Sequence, residues 1–386
     1  MIIYIALLIP IITAIVLYVK YNHETTWWEI LIPITASFIF IVIMKVTIET
    51  IQVSSEEYWG GVVIRVEYHE PWNEYIHRRC TRSCGKNCTT TYDCSYVQYH
   101  PPKWFVVNSI NETIDISKHE YDRLVKHFGN KTFVELNRNY HTQDGDMYMT
   151  VWNRHTDKII PTTTTHTYDN RVKAADHSVF HFGEVLPEDK QRYKLFDYPI
   201  ITDGYKQQAL LGDSSKMAIK ADSMLRKFNG ILGPEKEVKM FLLVHKNQPI
   251  DAGSYQEWLW CGGNMNEFIV SVGTDNDNKI KWCKVISWTP NETLKASIRS
   301  DIQAMDSLDH VTIVNMMSKS VGQGFIRKDF HEFDYITVDP PTWAVALTFL
   351  LTLAINIGIS YWVITNEFNN FWKKFGNTKN KPFRFR

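Results

Sequence analysis

The sequence predicts an α+β domain held between transmembrane helices, and three observations predict this architecture. Three apolar stretches, at 1–19, 27–46 and 343–364, are each about 20 residues long, which is the length an α-helix needs to cross a bilayer. Between them lie roughly 290 mostly polar residues, enough to bury a hydrophobic core. Short β-branched and aromatic runs fill the first part of that segment, and helical runs alternate with apolar strands in the second. We therefore expect one ectodomain with a β-rich N-terminal part and an α/β C-terminal layer, plus three transmembrane helices.

The stretch at 343–364 is the clearest candidate span. It carries no charged residue, and Trp343 and Trp362 stand at its edges, where membrane helices concentrate aromatic side chains. Asn356, near its middle, either hydrogen-bonds to a neighbouring helix or is a tolerated single polar residue. The first two stretches are separated by only about seven residues, so 1–47 is predicted to form a transmembrane helical hairpin.

The orientation is indicated by the tail at 365–386, which contains six Lys or Arg residues and one Glu, interleaved with aromatic residues. The positive-inside rule predicts that this tail is cytoplasmic, and one crossing then places the domain outside the cytoplasm. Cations mixed with aromatic side chains also suit a lipid surface. The formal net charge of the chain is zero, which argues against binding of nucleic acid.

The region between the spans divides into a β-rich, Cys/His-rich region at 50–190 and an α/β region at 205–340. In the first region, Ser-Lys-His-Glu at 117–120 is a capping box that predicts a helix start. In the second, a helix is predicted to end at Gly230. Thr-Pro-Asn-Glu at 289–292 is another capping box and predicts a further helix. The alternation of predicted strands and helices in the second region indicates an α/β layer on a mixed sheet.

Six cysteines fall into two groups, which are Cys80, Cys84, Cys88 and Cys94, and then Cys261 and Cys283. In an extracytoplasmic domain an even number predicts disulfides, two within the first group and one joining the later pair. The sequence leaves the pairing within the first group open. Zinc binding and free thiols are the alternatives, although the C-x3-C-x3-C-x5-C spacing differs from the paired CxxC of zinc ribbons. A cytoplasmic domain would favour zinc.

Histidines and aspartates cluster in the first half of the domain. The candidate metal ligands are His141, Asp144, Asp146, Asp176, His177 and His181. Neutral imidazole combined with carboxylate is suitable for a divalent metal, and clustered histidines also titrate near pH 6. No HExxH motif accompanies them. No cofactor is predicted, a divalent metal is the alternative, and surface histidines are the default interpretation.

The segment at 256–273 combines a Gly-Gly turn with polar side chains. The candidate ligand residues around that turn are Glu257, Asn264, Asn266 and Glu267. Such a loop can present carboxylates and amides to a ligand or a cation, whereas the structural alternative is a helix-to-strand connection stapled through Cys261. Because GxSxG, Walker and GxGxxG motifs are absent from the sequence, catalytic residues are unknown and the prediction leans away from an enzyme.

Five segments together resemble a family of uncharacterised membrane proteins encoded by tailed bacteriophages. They are PWNEYIHRRC at 71–80, DCSYVQYHPPKW at 93–104, QEWLWCGGNMNEF at 256–268, IKWCKVISWTPNETL at 280–294 and HEFDYITVDPP at 331–341. The resemblance covers most of the chain and implies residence in a host membrane, with no assigned activity. The segment at 217–305 is more faintly similar to TPM domains, α/β modules that include acid phosphatases and membrane-complex assembly factors. Their acidic metal-binding positions have no residue-by-residue match here, so phosphatase activity is not carried over.

The leading hypothesis is a membrane-anchored extracytoplasmic domain for partner binding or envelope complex assembly, in the inner membrane of a bacterial host. The alternative is a metal-dependent, phosphatase-like hydrolase or metal-binding domain that uses the His/Asp-rich region. The expected partners are the lipid bilayer and envelope or phage membrane proteins, with no nucleic acid. The oligomeric state is left open.

Overall fold

The computed structural model describes residues 2–20, 27–85, 88–128, 133–136, 147–151, 158–175, 180 and 182–365. Helices and strands are both present, as the predicted α+β class requires. The chain divides into two compact units. The first unit comprises Met1–Ser55, Thr167–His181 and Phe330–Arg386, and the second comprises Glu56–His166 and Phe182–Asp329.

The helices are α1 (Leu8–Lys20), α2 (Trp27–Val53), α3 (Lys118–Phe128), α4 (Arg171–Ala174), α5 (Pro187–Arg192), α6 (Lys216–Lys236), α7 (Asp251–Leu259), α8 (Glu292–Gln303), α9 (His310–Gly324) and α10 (Thr342–Thr365). The 3₁₀ turns are Ile2–Leu7 and Phe330–Phe333. The strands are β1 (Ser54–Trp59), β2 (Val63–His69), β3 (Trp72–Ile76), β4 (Arg79–Gly85), β5 (Cys88–Asp93), β6 (Tyr96–His100), β7 (Lys103–Asn108), β8 (Thr113–Asp115), β9 (Phe133–Leu136), β10 (Met147–Val151), β11 (Thr164–Asp169), β12 (Leu210–Leu211), β13 (Lys239–Lys246), β14 (Glu267–Thr274) and β15 (Ile280–Ile286).

The first unit contains three helices that are long and apolar enough to cross a membrane: α1 with the turn before it, α2 and α10. Their distribution of polar and apolar side chains is the reverse of that in a water-soluble helix bundle. Leu350 and Ile357 of α10 are exposed, whereas Thr352 and Asn356 of the same helix are fully buried. Asn356 donates from Nδ2 to the Ser37 hydroxyl of α2 at 3.4 Å, which confirms a hydrogen bond to a neighbouring helix. Apolar surface outside and polar contacts inside are what helices in lipid show.

An ion-pair cluster joins the remaining segments of the first unit. The backbone N–H of Asn170, which caps α4, donates to the carbonyl of Val53 at the end of α2. The next residue, Arg171, lies 2.8 Å from Glu49 of α2 and 3.5 Å from Asp334, just after the second 3₁₀ turn. One guanidinium therefore ties α4 both to the end of α2 and to the segment that leads into α10.

A four-stranded mixed sheet with the order β12-β13-β14-β15 forms the core of the second unit. The first three strands are parallel and β15 is antiparallel to β14. Helix α6 follows β12 and helix α7 connects β13 to β14, because parallel strands need such crossovers. Every residue of β14 is buried, as expected for a strand covered on both faces.

A five-stranded antiparallel sheet with the order β8-β7-β2-β10-β9 lies in the same unit. Helix α3 packs on it, with Leu124 and Phe128 in one apolar cluster with Val66 of β2. The hydroxyl of Ser117 accepts from the backbone N–H of Glu120 at 3.2 Å, as the capping box predicts. A further two-stranded sheet pairs β1 with β11.

The glycines of α6 allow close packing rather than ending the helix. The prediction that this helix ends at Gly230 is wrong, because α6 continues through Pro234 to Lys236. A Cβ atom on Gly233 would lie 2.0 Å from the carbonyl oxygen of Gly60, and one on Gly230 would lie 2.8 Å from that of Gly61. The helix backbone therefore contacts the turn between β1 and β2 directly.

Replacing Gly233 by alanine tests this contact. We expect Gly233→Ala to lower the free energy of unfolding by about 1–3 kcal/mol, because the added methyl group meets a backbone carbonyl that cannot swing away. The matched control is Gly322→Ala in α9, where the nearest atom is 3.4 Å from the added Cβ and belongs to a flexible leucine. Denaturant unfolding of the full chain in detergent measures both. Equal effects at the two positions would contradict the close contact.

Candidate functional site

The six predicted metal ligands lie outside the described residues. They are His141, Asp144, Asp146, Asp176, His177 and His181. Within the described ranges, no group of three or more His, Cys, Asp or Glu side chains is placed to hold a metal ion. The geometry of the described residues therefore directs attention to other sites.

Two of the four candidate ligand residues of this loop lie in the protein interior, which favours the interpretation of the loop as a helix-to-strand connection. Glu267 and Asn266 are both fully buried. The Glu267 carboxylate accepts from the backbone N–H of Asn264 at 3.0 Å, from the Asn264 side-chain amide at 2.8 Å and from the Tyr198 hydroxyl. Asn266 donates to the carbonyl of Tyr58 at 3.1 Å. These hydrogen bonds hold the connection between α7 and β14 in place.

The fourth residue of that loop, Glu257, serves a structural role on α7. Its carboxylate lies 2.7 Å from the ammonium group of Lys284 on β15. Both side chains are about a third exposed, at 30% and 29%. A partly exposed ion pair of this kind contributes little to stability. The Glu257 carboxylate, a candidate ligand group in the sequence, is paired with Lys284 in the structure.

A disulfide joins Cys80 to Cys94, with their Cα atoms 5.8 Å apart. This bond agrees with the predicted disulfides in the first cysteine group. Cys84 is disulfide-bonded as well, and the side chain of Cys88 lies outside the described residues.

The predicted disulfide between Cys261 and Cys283 is wrong, because both are free thiols. Neighbouring residues of a strand point to opposite faces of the sheet. Trp282 of β15 packs in a cluster with Ala252 of α7, the helix that Cys261 follows. Cys283 therefore faces the other side, where it belongs to the core and burial raises the pKa of its thiol to about 12.

The Cys80–Cys94 bond staples a ribbon of four strands, which we call the ribbon (Trp72–His100). Strand β3 pairs with β6 in antiparallel register, and β4 pairs with β5 further along. Between the two pairs, the backbone N–H of Cys94 donates to the carbonyl of Arg78 at 2.9 Å. A backbone hydrogen bond and a covalent bond therefore hold the two halves of the ribbon in one register.

The two faces of the β3–β6 pair differ. On one face the Trp72 and His100 rings stack at 4.3 Å, and the His100 Nε2 atom lies 2.8 Å from the Glu74 carboxylate. On the other face Tyr75, Val97 and Tyr99 are 54%, 59% and 61% exposed. We call these three residues the outer face. Large side chains so exposed on a paired and stapled scaffold are typical of a binding surface.

A cleft of about 570 Å³ adjoins this face. Its lining residues are His77, Arg78, Arg79, Thr91, Tyr92, Asp93 and Ser95. The Tyr75 and His77 rings meet edge to face at 4.6 Å, so the outer face and the cleft share a boundary.

A second polar cluster lies at the carboxyl ends of β12 and β13, where α/β sheets commonly bind ligands. One Asp213 oxygen lies 2.9 Å from the ammonium of Lys246, and the other lies 3.0 Å from His310 Nε2. The Asp213 and His310 side chains are each only 7% exposed. The Asp213 carboxylate and the Lys246 ammonium form an ion pair, and burial lowers the pKa of His310, so the cluster is an internal ion pair beside a neutral imidazole.

A buried Lys–Glu pair lies at the opposite edge of the parallel strands. Lys239 and Glu267 are the first residues of β13 and β14, and they are partners in the strand register. The Lys239 ammonium is buried and donates to the Thr163 hydroxyl at 2.8 Å. Burial lowers the pKa of Lys239 to about 7, and burial raises the pKa of Glu267. The pair links the segment before β11 to the mixed sheet within the second unit.

No protein-family model matches the chain, and neither a curated protein nor a solved structure matches it.

Sequence reasoning missed the ribbon because it treated this stretch as a set of cysteines. The usable signal was the Gly-Lys-Asn sequence at 85–87, which separates two runs rich in Thr, Cys and Tyr. Such runs around a glycine-containing turn are the signature of a β-hairpin.

The buried lysine predicts a pH dependence of stability. Its pKa is about 7 in the folded chain against 10.5 for an ordinary lysine, so between these pH values the unfolded chain binds more protons. The free energy of unfolding should therefore rise with pH over that window. Lys239→Met removes the titrating group and is expected to flatten the rise, whereas Lys220→Met, at an exposed lysine of α6, keeps it. Urea unfolding at several pH values measures the slopes, and identical slopes for the two variants would refute the assignment.

Proposed function

We propose that this chain is an integral membrane protein that carries a partner-binding domain outside the cytoplasm, in the inner membrane of a bacterial host. The ribbon's outer face docks a protein partner and so contributes to the assembly of an envelope complex. The observation that carries this proposal is the exposure of Tyr75, Val97 and Tyr99 on one face of a disulfide-stapled ribbon.

The membrane assignment is supported by the three apolar helices and by their reversed polarity. The extracytoplasmic assignment is supported by the Cys80–Cys94 bond, because disulfides persist in oxidising compartments and are rare in the cytosol. The basic tail after α10 supports the same orientation.

The binding assignment is supported by the chemistry of the outer face. Tyrosine is enriched at protein interfaces because its large, rigid ring buries apolar area while its hydroxyl keeps a polar contact. Cross-strand pairing and the disulfide fix the backbone before any partner arrives, which reduces the entropy that binding would otherwise lose. Val97 lies directly opposite Tyr75 in the strand register, so the two side chains form one contiguous patch.

Site-specific photo-crosslinking in intact host cells tests the docking face. A photoreactive amino acid at Tyr75 or at Tyr99 is expected to give the same crosslinked species. The control position is Tyr335, which is 72% exposed but belongs to the first unit. With the probe at Tyr75, Tyr99→Ser is expected to lower the crosslinked yield about tenfold, because removal of an interface tyrosine weakens binding strongly. The same species at Tyr335, or no species at the ribbon, would contradict the proposal.

A further inference from the structure

We propose that the cleft beside the outer face binds a carboxylate group of an acidic peptide segment supplied by the docked partner. This inference rests on the proposed function and names the chemistry of the partner. The cleft is bounded by His77, Arg78 and Arg79 on one side and by residues of β5 and the turn after it on the other.

Two guanidinium groups supply the binding chemistry. Arg78 and Arg79 are both exposed, and neither side chain has a hydrogen bond or ion pair to any residue in the described ranges. The backbone, in contrast, is fixed, because the N–H of Arg78 donates to the Ser95 hydroxyl at 3.1 Å. Guanidinium groups bind carboxylates through two parallel hydrogen bonds, so two uncommitted arginines on a fixed backbone form a receptor for an anion.

The net charge of the chain segment around the cleft is positive, opposite to that of a carboxylate. Between residues 77 and 95 the sequence contains four Lys or Arg residues and one acidic residue, Asp93. The Asp93 carboxylate accepts from the backbone N–H of Ser95 at 2.9 Å and from its hydroxyl. These hydrogen bonds lower the pKa of Asp93, so it stays ionised at neutral pH. The excess of positive charge attracts anions to this end of the ribbon.

Asp93 and the size of the cleft favour a carboxylate-bearing peptide over a phosphate group. A fixed negative charge among the lining residues repels a dianion more strongly than a monoanion. The volume of about 570 Å³ far exceeds that of a single tetrahedral anion and fits a peptide side chain with its backbone. Tyr92, which is 52% exposed, offers a ring and a hydroxyl to the rest of such a peptide.

The shared boundary at His77 makes the cleft and the outer face one recognition surface. A segment whose carboxylate lies in the cleft continues directly over the Tyr75 ring. Apolar contacts on the face then give affinity, and the arginines fix the register of the bound segment.

Binding of fluorescein-labelled hexaglutamate to the full chain, in nanodiscs of zwitterionic lipid, tests the cleft alone, because this peptide carries no aromatic side chain. Arg78→Gln and Arg79→Gln are each expected to weaken binding about tenfold. The matched control is Arg82→Gln, which removes the same charge from the same ribbon at an exposed position outside the cleft. It is expected to change affinity less than about twofold, with all affinities falling as salt rises.

Three results would overturn the inference: no binding of hexaglutamate, an equal loss with Arg82→Gln, or displacement of the peptide by inorganic phosphate at comparable concentration. The last result would assign the cleft to phosphate. Crosslinking at Tyr75 and Tyr99 tests the docking face independently of the cleft. Crosslinks without hexaglutamate binding would refute only the cleft, whereas hexaglutamate binding without crosslinks would refute only the proposed docking face.

Discussion

The burial of polar side chains between helices whose apolar side chains face outward is the constraint on which the first unit depends. In water, a helix such as α10 would bury Leu350 and expose Asn356, but here the leucine is outside and the asparagine inside. The polar residues of the buried face recur every fourth position, as Thr348, Thr352, Asn356 and Ser360. One face of a helix follows that spacing, so the same residues that would be a defect in a soluble core become the contact surface between membrane helices. Arg171, Glu49 and Asp334 join the segments next to this bundle by ion pairs.

The second unit combines a rigid interior with an exposed ribbon. Its interior is fixed by direct backbone contact at Gly233 and by the buried Lys239–Glu267 pair. A buried polar group without a hydrogen-bond partner is costly, so the hydrogen bonds from Lys239 to Thr163 and from Tyr198 to Glu267 favour one arrangement of the strands. None of the ribbon residues that the structure describes is fully buried, and strand pairing and a disulfide hold the ribbon instead. Small elements without a core commonly use such a covalent link.

Local signals in the sequence predicted several helices and the mixed sheet, but neither the strands of the ribbon nor the partners of individual side chains. The apolar spans, the mixed sheet and the Ser117 cap followed from periodicity and capping chemistry. The helix predicted from the second capping box begins two residues later than that motif indicates. Asn291 rather than Thr289 caps α8, because the Asn291 side chain accepts from the backbone N–H of Leu294. The role of Gly230 was hidden, since a glycine that ends a helix and one that allows close approach of a neighbouring backbone look identical in sequence. The disulfide predicted for Cys283 was wrong because the face of the sheet that a side chain takes depends on residues far away in the chain.

The measurement that tests the central claim most directly is the sidedness of the second unit. A cysteine introduced at Lys220, an exposed position of α6, is treated with a membrane-impermeant maleimide in intact spheroplasts, with the unaltered chain as control for Cys261. A domain outside the cytoplasm predicts labelling of the Lys220→Cys chain before lysis, above the level of the control. Labelling that appears only after lysis would place the ribbon in the cytoplasm and contradict the account.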